Sequence, residues 1–323
     1  MVWAIRFEQF GGPEVLEYQE VAVGEPKAGE ARVAHRAVGL NFIDVYYRTG
    51  LYPLALPSGL GREAAGVVVA VGPGVTHVQP GDRVAYTAPA PLGSYAQERL
   101  LDARWLVRLP DPITEQTGAA MMLKGLTAWY LLCRSYRVTA GEWILLHAAA
   151  GGVGLIAAQW AREIGARVIG LVGSAAKREI ALSHGCEHVL LDSEDWPVRV
   201  REITSGGVPV VYDSVGRNTF FQSLDALKPH GLLVSFGNAS GKVEPFGLHE
   251  LTRRGSLYVT RPTLQDFIDE RHDLETGARA LFDLVQRGRI RIEVNQTYAL
   301  RDAAQAHRDL EARRTTGSTV LIP

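Results

Sequence analysis

The stretch Trp143-Ile-Leu-Leu-His-Ala-Ala-Ala-Gly-Gly-Val-Gly154 has residue types and a spacing that suit phosphate binding. An apolar strand leads into a glycine-rich turn, and an apolar helix leaves it. Gly151 lets the backbone approach a pyrophosphate, and Gly154 lets the helix pack close to a sheet. The helix N-terminus offers unpaired N–H groups and a partial positive charge to the phosphates. Ala149 stands where the first glycine of G-x-G-x-x-G usually falls. About 20 residues further on, an acid would bind the ribose 2′-hydroxyl of NAD. Here Val172 occupies that place, followed by Gly173, Ser174 and Lys177. No carboxylate there repels a 2′-phosphate, Ser174 can donate a hydrogen bond, and Lys177 can supply charge. The pattern favours NADPH over NADH. The other reading of Lys177 is a solvated lysine on a helix face.

Elsewhere the residue types are less specific. His184-Gly-Cys186-Glu-His188 contains metal-ligating side chains. It lies at a helix end, with Gly185 as the expected cap and a buried strand after it, which favours a structural reading. Cys133, in an apolar helix, reads as core rather than nucleophile.

These residues must be positioned by two kinds of element. The first 110 or so residues read as short Val- and Ala-rich strands: Ala31–Val38, Gly66–Val71 and Arg83–Tyr86. Gly and Pro clusters at 11–13, 24–26, 72–74 and 80–82 punctuate them, which predicts a β-rich unit with a barrel-like core. From Thr114 to Arg134 helix formers dominate, with Gly125 interrupting. Strands are then expected at 143–147, 166–172, 188–191, 208–212, 232–236 and 256–260. Helices are expected at 155–164, 175–184, 196–204 and 219–227. Six strands with helical crossovers predict a doubly wound, six-stranded parallel sheet in an α/β chain. The tail predicts a long helix (274–286), a strand, a short helix (302–312) and a last strand (318–322) that returns to the first domain.

The chain has 323 residues, which suggests two domains, and 34 basic against 35 acidic residues leave a net charge of −1. That balance disfavours nucleic acid and anionic membrane as main partners. Two cysteines, Cys133 and Cys186, argue against a disulfide scaffold. No apolar run reaches a membrane span, and the N-terminus lacks a secretory leader's pattern, so a cytoplasmic protein is expected.

Taken together, Gly11-Gly-Pro-Glu-Val-Leu16, Gly39-Leu-Asn-Phe-Ile-Asp44, Gly50-Leu-Tyr-Pro53, Lys124-Gly-Leu-Thr127, His147-Ala-Ala-Ala-Gly-Gly-Val-Gly154, Tyr212-Asp-Ser-Val-Gly216 and Ser235-Phe-Gly-Asn238 carry a resemblance over essentially the whole chain. It is similar to the zinc-independent medium-chain dehydrogenases/reductases, within the NADPH:quinone oxidoreductase (ζ-crystallin-like) group. The resemblance implies a GroES-like catalytic domain (1–122 and 264–323), a Rossmann domain (123–263), and an active site between them. Zinc-dependent relatives carry a Cys where Asn41 stands, a His where Arg62 stands, and a four-cysteine lobe near residues 90–110. None of these ligands is present here, so no metal site is expected.

The implied reaction is hydride transfer from NADPH to a quinone, which needs hydrogen-bond donors near the oxygen that gains charge. Asn41, Tyr46 and Tyr52 are the expected catalytic contacts; the alternative for each tyrosine is aromatic packing. Phe42, Thr127 and Tyr130 are expected along the nicotinamide, and Gly152 and Val153 at the pyrophosphate. Ser214 and Gly216 follow the fourth strand, and Phe236, Gly237, Asn238 and Ala239 the fifth. Arg261 and either Arg313 or Arg314 could reach the cofactor, the tail pair being otherwise solvated. Lys124 either faces the cleft or is structural. Asp192 stands where related chains carry a tyrosine that clamps the 2′-phosphate, which weakens strict NADPH selectivity. Two other readings remain: reduction of alkenals or enones on the same scaffold, and a low-turnover NADPH-binding protein of crystallin or RNA-binding type. A homodimer through the edge strand 256–261 is expected, since such an edge must be covered or paired.

Overall fold

The computed structural model describes every residue, Met1–Pro323. The chain forms two compact units: Met1–Leu126 with Glu270–Gln286 and Ile292–Pro323, and Thr127–Asp269 with Arg287–Arg291.

The spine of the first unit is the eleven-residue strand Glu30–Leu40, whose first six residues alternate half-buried and buried. One face therefore packs inward, as the period of two requires. This strand pairs antiparallel with Glu63–Val71, Glu98–Asp102 and Ser318–Ile322. The last of these is the expected return of the tail: Val320 lies opposite Gly39. Val294–Ala299 joins the outer side of the tail strand, in parallel. A smaller sheet is built from Glu17–Val21, Val2–Phe7 and Ser58–Gly59. The seven-residue helix Phe42–Arg48 follows the end of the spine after one residue, Asn41.

The second unit holds a parallel sheet in the order His188–Leu191, Arg167–Val172, Trp143–Leu146, Val208–Asp213, Leu227–Ser235, Tyr258–Thr260. Numbered along this unit, that is 3-2-1-4-5-6, the order of a doubly wound dinucleotide-binding sheet. Strand order reverses between the first and fourth strands, so their C-terminal ends, at His147 and Asp213, flank the switch point. Leu145, Ile169, Leu171, Val211 and Leu233 on these strands are buried, and Trp196 and Phe220 pack onto the same core.

Several elements differ from expectation. Gly125 does not interrupt its helix, which runs unbroken over Glu115–Tyr130 before a single π turn at Leu131–Ser135. A Cβ on Gly125 would lie 2.4 Å from Leu281 Cδ2, so this glycine serves close packing of the helix rather than a break. The fifth strand begins at Leu227, earlier than expected. The edge strand is only Tyr258–Thr260, because Ser256 adopts φ +56° and leaves the extended region. The 175–184 segment is a 3₁₀ turn, Ala175–Lys177, followed by a short helix, Arg178–Ser183. No helix is long and apolar enough to cross a membrane.

Candidate active site

In the second unit, the helix Gly152–Ile164 starts at its N-cap Gly151, directly beyond the first strand. Gly151, Gly152 and Val153 are half-exposed and Gly154 is buried. The Gly151 N–H donates to Ala148 O at 2.8 Å, whereas Gly152 and Val153, first in the helix, have no intrahelical acceptor for theirs. A Cβ on Gly154 would lie 2.3 Å from the Ala148 carbonyl oxygen, which accounts for the glycine there. The conformation that a first glycine would relieve is carried by Ala148, at φ +49°. A left-handed alanine costs on the order of 1 kcal/mol, and it is anchored by its neighbour: Ala149 N–H donates to Leu171 O at 3.0 Å.

The second strand ends at Val172, followed by exposed Ser174 and half-buried Lys177. Asp192, also exposed, is tied to the same strand end by donation of its N–H to Val172 O at 3.0 Å. The neighbouring Arg178 pairs with Glu194 at 3.0 Å.

At the switch point, Asp213 is fully buried, and its carboxylate accepts four hydrogen bonds. Val215 N–H (2.7 Å), Gly216 N–H (3.1 Å), Thr219 Oγ1 (2.7 Å) and Ser223 Oγ (2.9 Å) donate them. Ser223 Oγ also lies 3.0 Å from His147 Nε2, at the end of the first strand. Ser223, His147 and Asp213 resemble a nucleophile triad in composition, but all three are sealed in the interior. With no access for substrate, the cluster ties the first and fourth strand ends together. Ser214 and Gly216 are thereby fixed against the loop after the fifth strand: Ala239 N–H donates to Ser214 O at 3.3 Å, and Ser240 N–H to Val215 O at 2.8 Å. A Cβ on Gly237 would lie 2.3 Å from Ser214 O. Ser214, Gly216, Phe236, Gly237, Asn238 and Ala239 thus form one contiguous pair of loops. Thr127 and Tyr130 share a helix face one turn apart, and Tyr130 stacks on Phe267 with centroids 4.6 Å apart. Exposed Arg261 donates to Pro262 O at 3.0 Å.

In the first unit, Asn41 caps the helix Phe42–Arg48, and its N–H donates to Asp44 Oδ2 at 2.9 Å. Asn41 Nδ2 donates to Glu63 Oε2 at 2.7 Å, and Glu63 also accepts from Lys124 Nζ (3.2 Å) and Leu123 N–H (2.7 Å). A carboxylate surrounded by donors requires the amide nitrogen of Asn41 to face it, so that nitrogen is engaged in holding Glu63. Lys124 is accordingly a buried ion-pair partner. Phe42, Tyr46 and Tyr52 form a continuous aromatic row, with centroids 5.5 Å and 5.1 Å apart, and Tyr47 meets Tyr52 edge-on at 5.7 Å. Tyr46 is buried and Tyr52 half-exposed. Behind the row lies Arg62, buried, with Nε donating to Ala88 O at 2.8 Å. Burial lowers the affinity of its guanidinium for the proton, and Tyr47, Asp44 and Tyr52 oppose that shift.

Arg313 is exposed and takes φ +57° just past the helix Ala303–Glu311, and Arg314 pairs with Asp309 at 2.9 Å. The tail pair belongs to the first unit. His184 Nδ1 is bonded to Ile180 O at 2.7 Å, and Gly185 takes φ +109° as the cap of that helix. Burial pushes the Cys133 thiol up and the Cys186 thiol up to about 12, which suppresses thiolate chemistry at both. No group of three or more His, Cys, Asp or Glu side chains is placed to hold a metal ion.

Sequence reading missed Asp44, Glu63, Tyr95, Asp213, Phe267 and His307. Only Asp44 had a local signal, three residues after a capping Asn. Glu63, Tyr95, Phe267 and His307 meet their partners across long stretches of chain. Asp213 is bonded within ten residues but gains its role only where the fold brings Ser223 against His147.

Two domain families match: Alcohol dehydrogenase GroES-like domain over residues 27–111, and Zinc-binding dehydrogenase over residues 152–273. A quinone oxidoreductase of Pseudomonas aeruginosa is 55% identical over the full length of both chains. The crystal structure of Escherichia coli quinone oxidoreductase complexed with NADPH is 49% identical, with a TM-score of 0.98 over 99% of this chain and 100% of that one. A 2-haloacrylate reductase of Burkholderia is 44% identical, covering 100% of this chain and 99% of its own.

Proposed function

The chain belongs to the quinone oxidoreductase family of medium-chain dehydrogenases/reductases, and from that premise we propose that it reduces quinones with NADPH, without zinc. The observation that carries this reading is the glycine turn at the switch point of a 3-2-1-4-5-6 sheet, with Ser174 and Lys177 at the next strand end. These residues fit the cofactor: the helix-start N–H groups of Gly152 and Val153 lack intrahelical acceptors, and hydroxyl and ammonium groups stand where a 2′-phosphate would be recognised.

NADPH, when bound, supplies the hydride. Gly151, Gly152 and Val153 receive the pyrophosphate, and the Ser214–Gly216 and Phe236–Ala239 loops shape the crevice beyond it. Thr127, Tyr130, Phe42 and Arg261 are assigned to the cofactor, with Arg313 as a further contact. Tyr46 and Tyr52 donate hydrogen bonds to the quinone oxygen that gains charge, and the buried guanidinium of Arg62 adds a fixed positive field nearby. Asn41 holds Glu63 and Asp44 in place rather than donating to substrate. The donor set argues against a catalytic zinc, because an amide and a guanidinium stand at Asn41 and Arg62.

The first unit is assigned the catalytic role and the second the nucleotide-binding role. We place the protein in the cytoplasm, as a homodimer joined at the edge strand Tyr258–Thr260. Tyr258 there is 61% exposed, and Leu248 in the same unit is 76% exposed. Sedimentation at micromolar concentration checks the dimer; a monomer would refute it.

A second reading, reduction of an activated carbon–carbon double bond, is favoured by the similarity to a 2-haloacrylate reductase. One experiment separates the two. NADPH oxidation is followed with 1,4-benzoquinone, 1,2-naphthoquinone, an enone, and an alcohol with NADP⁺, with and without chelator. Quinone turnover that exceeds enone turnover and is insensitive to chelator is expected. Chelator-sensitive alcohol oxidation would overturn the proposal.

A further inference from the structure

The helix Phe42–Arg48 has seven residues, too few to persist on its own propensity. Its direction must therefore be imposed by its surroundings. The polar groups Asp44 and Arg48 lie one turn apart, which on an exposed helix would make a simple i,i+4 ion pair. Instead both are buried, and both lead to one imidazole at the far end of the chain. Arg48 Nη1 donates to His307 Nδ1 at 2.9 Å. Since arginine only donates, the proton of His307 sits on Nε2. Nε2–H then donates to Tyr95 Oη at 3.1 Å, and Tyr95 O–H donates to Asp44 Oδ2 at 3.0 Å.

Other contacts lock the same circuit. Glu311, on the helix that carries His307, accepts from both Arg48 terminal nitrogens, at 3.0 and 2.8 Å. Arg48 Nε donates to Gly11 O at 3.1 Å, which ties in the Gly11-Gly12-Pro13 turn. The Tyr95 ring packs on Gly61, where a Cβ would lie 2.2 Å from the ring. Burial, reinforced by the Arg48 charge, pushes His307 down to about 3, so it stays neutral and keeps its single tautomer.

We infer that His307, acting through Tyr95 and Arg48, is a positioning residue that sets the orientation of the helix carrying Tyr46 and of the turn leading to Tyr52. The inference rests on the reading of those two tyrosines as substrate contacts. Its consequence is that the C-terminal segment controls quinone reduction without touching either reactant. Positioning of this kind acts on turnover, because small displacements of contact groups cost rate steeply.

The test uses His307→Ala, His307→Gln and Tyr95→Phe in the full-length protein, the last keeping the ring that packs on Gly61. Steady-state quinone kinetics, NADPH affinity by fluorescence titration, and ring-¹³C-tyrosine NMR are recorded for each. The Tyr46 and Tyr52 signals are assigned with Tyr46→Phe and Tyr52→Phe. Tyr95→Phe and His307→Ala are expected to lower kcat/KM for quinone about tenfold or more, with NADPH affinity unchanged. The Tyr46 and Tyr52 signals should move while that of Tyr212 stays, and His307→Gln, which restores one acceptor and one donor, should recover part of the loss. Unchanged quinone kinetics and tyrosine signals in Tyr95→Phe overturn the inference. So does an equal loss of NADPH affinity and quinone turnover, which marks a general structural defect. If the wild-type protein fails to reduce any quinone while the Tyr46 and Tyr52 signals move as expected, the functional reading falls and the positioning role stands.

Discussion

At residue scale, we assign the balance between NADPH and NADH to three side chains at neighbouring strand ends. Under that assignment Ser174 and Lys177 favour a 2′-phosphate, and Asp192, whose N–H is bonded to Val172 O, opposes it. Two like charges near a protein surface repel by on the order of 1 kcal/mol or more. Asp192→Asn should therefore lower the KM for NADPH about fivefold and leave that for NADH unchanged. Lys177→Ala should do the reverse to NADPH. A paired steady-state measurement with the two cofactors checks both, and an NADH preference in the wild type would sink the assignment. The places of these residues were legible because each follows a strand whose end can be read from the apolar run. Glu63 was not legible. It sits in an unremarkable apolar strand, yet it accepts from Asn41, Lys124 and Leu123 because two separate elements, the cap of Phe42–Arg48 and the helix Glu115–Tyr130, converge on it.

At element scale, the glycine turn joins local and long-range demands. Its strand–turn–helix order is written in adjacent residues, but the clearance at Gly154 is set by the Ala148 carbonyl, which the left-handed Ala148 turns toward the helix. Gly154→Ala should displace that carbonyl or the helix start and raise the Kd for NADPH at least tenfold, as read by isothermal titration. Retained affinity would show that the turn adapts. The helix Glu115–Tyr130 teaches the converse: a glycine inside a helical pattern suggests a break, and only the position of Leu281 reveals it as a packing requirement.

At the scale of the whole molecule, buried titratable groups couple stability to pH. Burial pushes His307 down to about 3 and His35 down to about 4. Both gain protons on unfolding at mildly acid pH, so the stability they hold above pH 6.5 is lost as pH falls. Asp44 works in the opposite sense. Burial raises it to about 7, so it stays protonated when folded and its contribution is lost as pH rises from about 4 to about 7. Two groups against one make the melting temperature fall on acidification from pH 6.5 to 4.5. His307→Gln should flatten that slope, and Asp44→Asn should steepen it. Melting curves across this range check the sign, and an Asp44→Asn slope shallower than wild type would contradict it.

Sequence alone determined the two-part organisation, the parallel sheet with its glycine turn, and the aromatic segment Phe42–Tyr52, because each is encoded by periodicity, glycine placement or a run of neighbouring residues. Tertiary structure decided what holds those parts in place. The Asp44–Tyr95–His307–Arg48 circuit includes a bond between residues 259 positions apart, and the Asp213 cluster joins two strand ends 66 residues apart. Buried polar groups must find partners wherever the fold brings donors and acceptors together, and no local pattern in the chain records which distant side chain will answer.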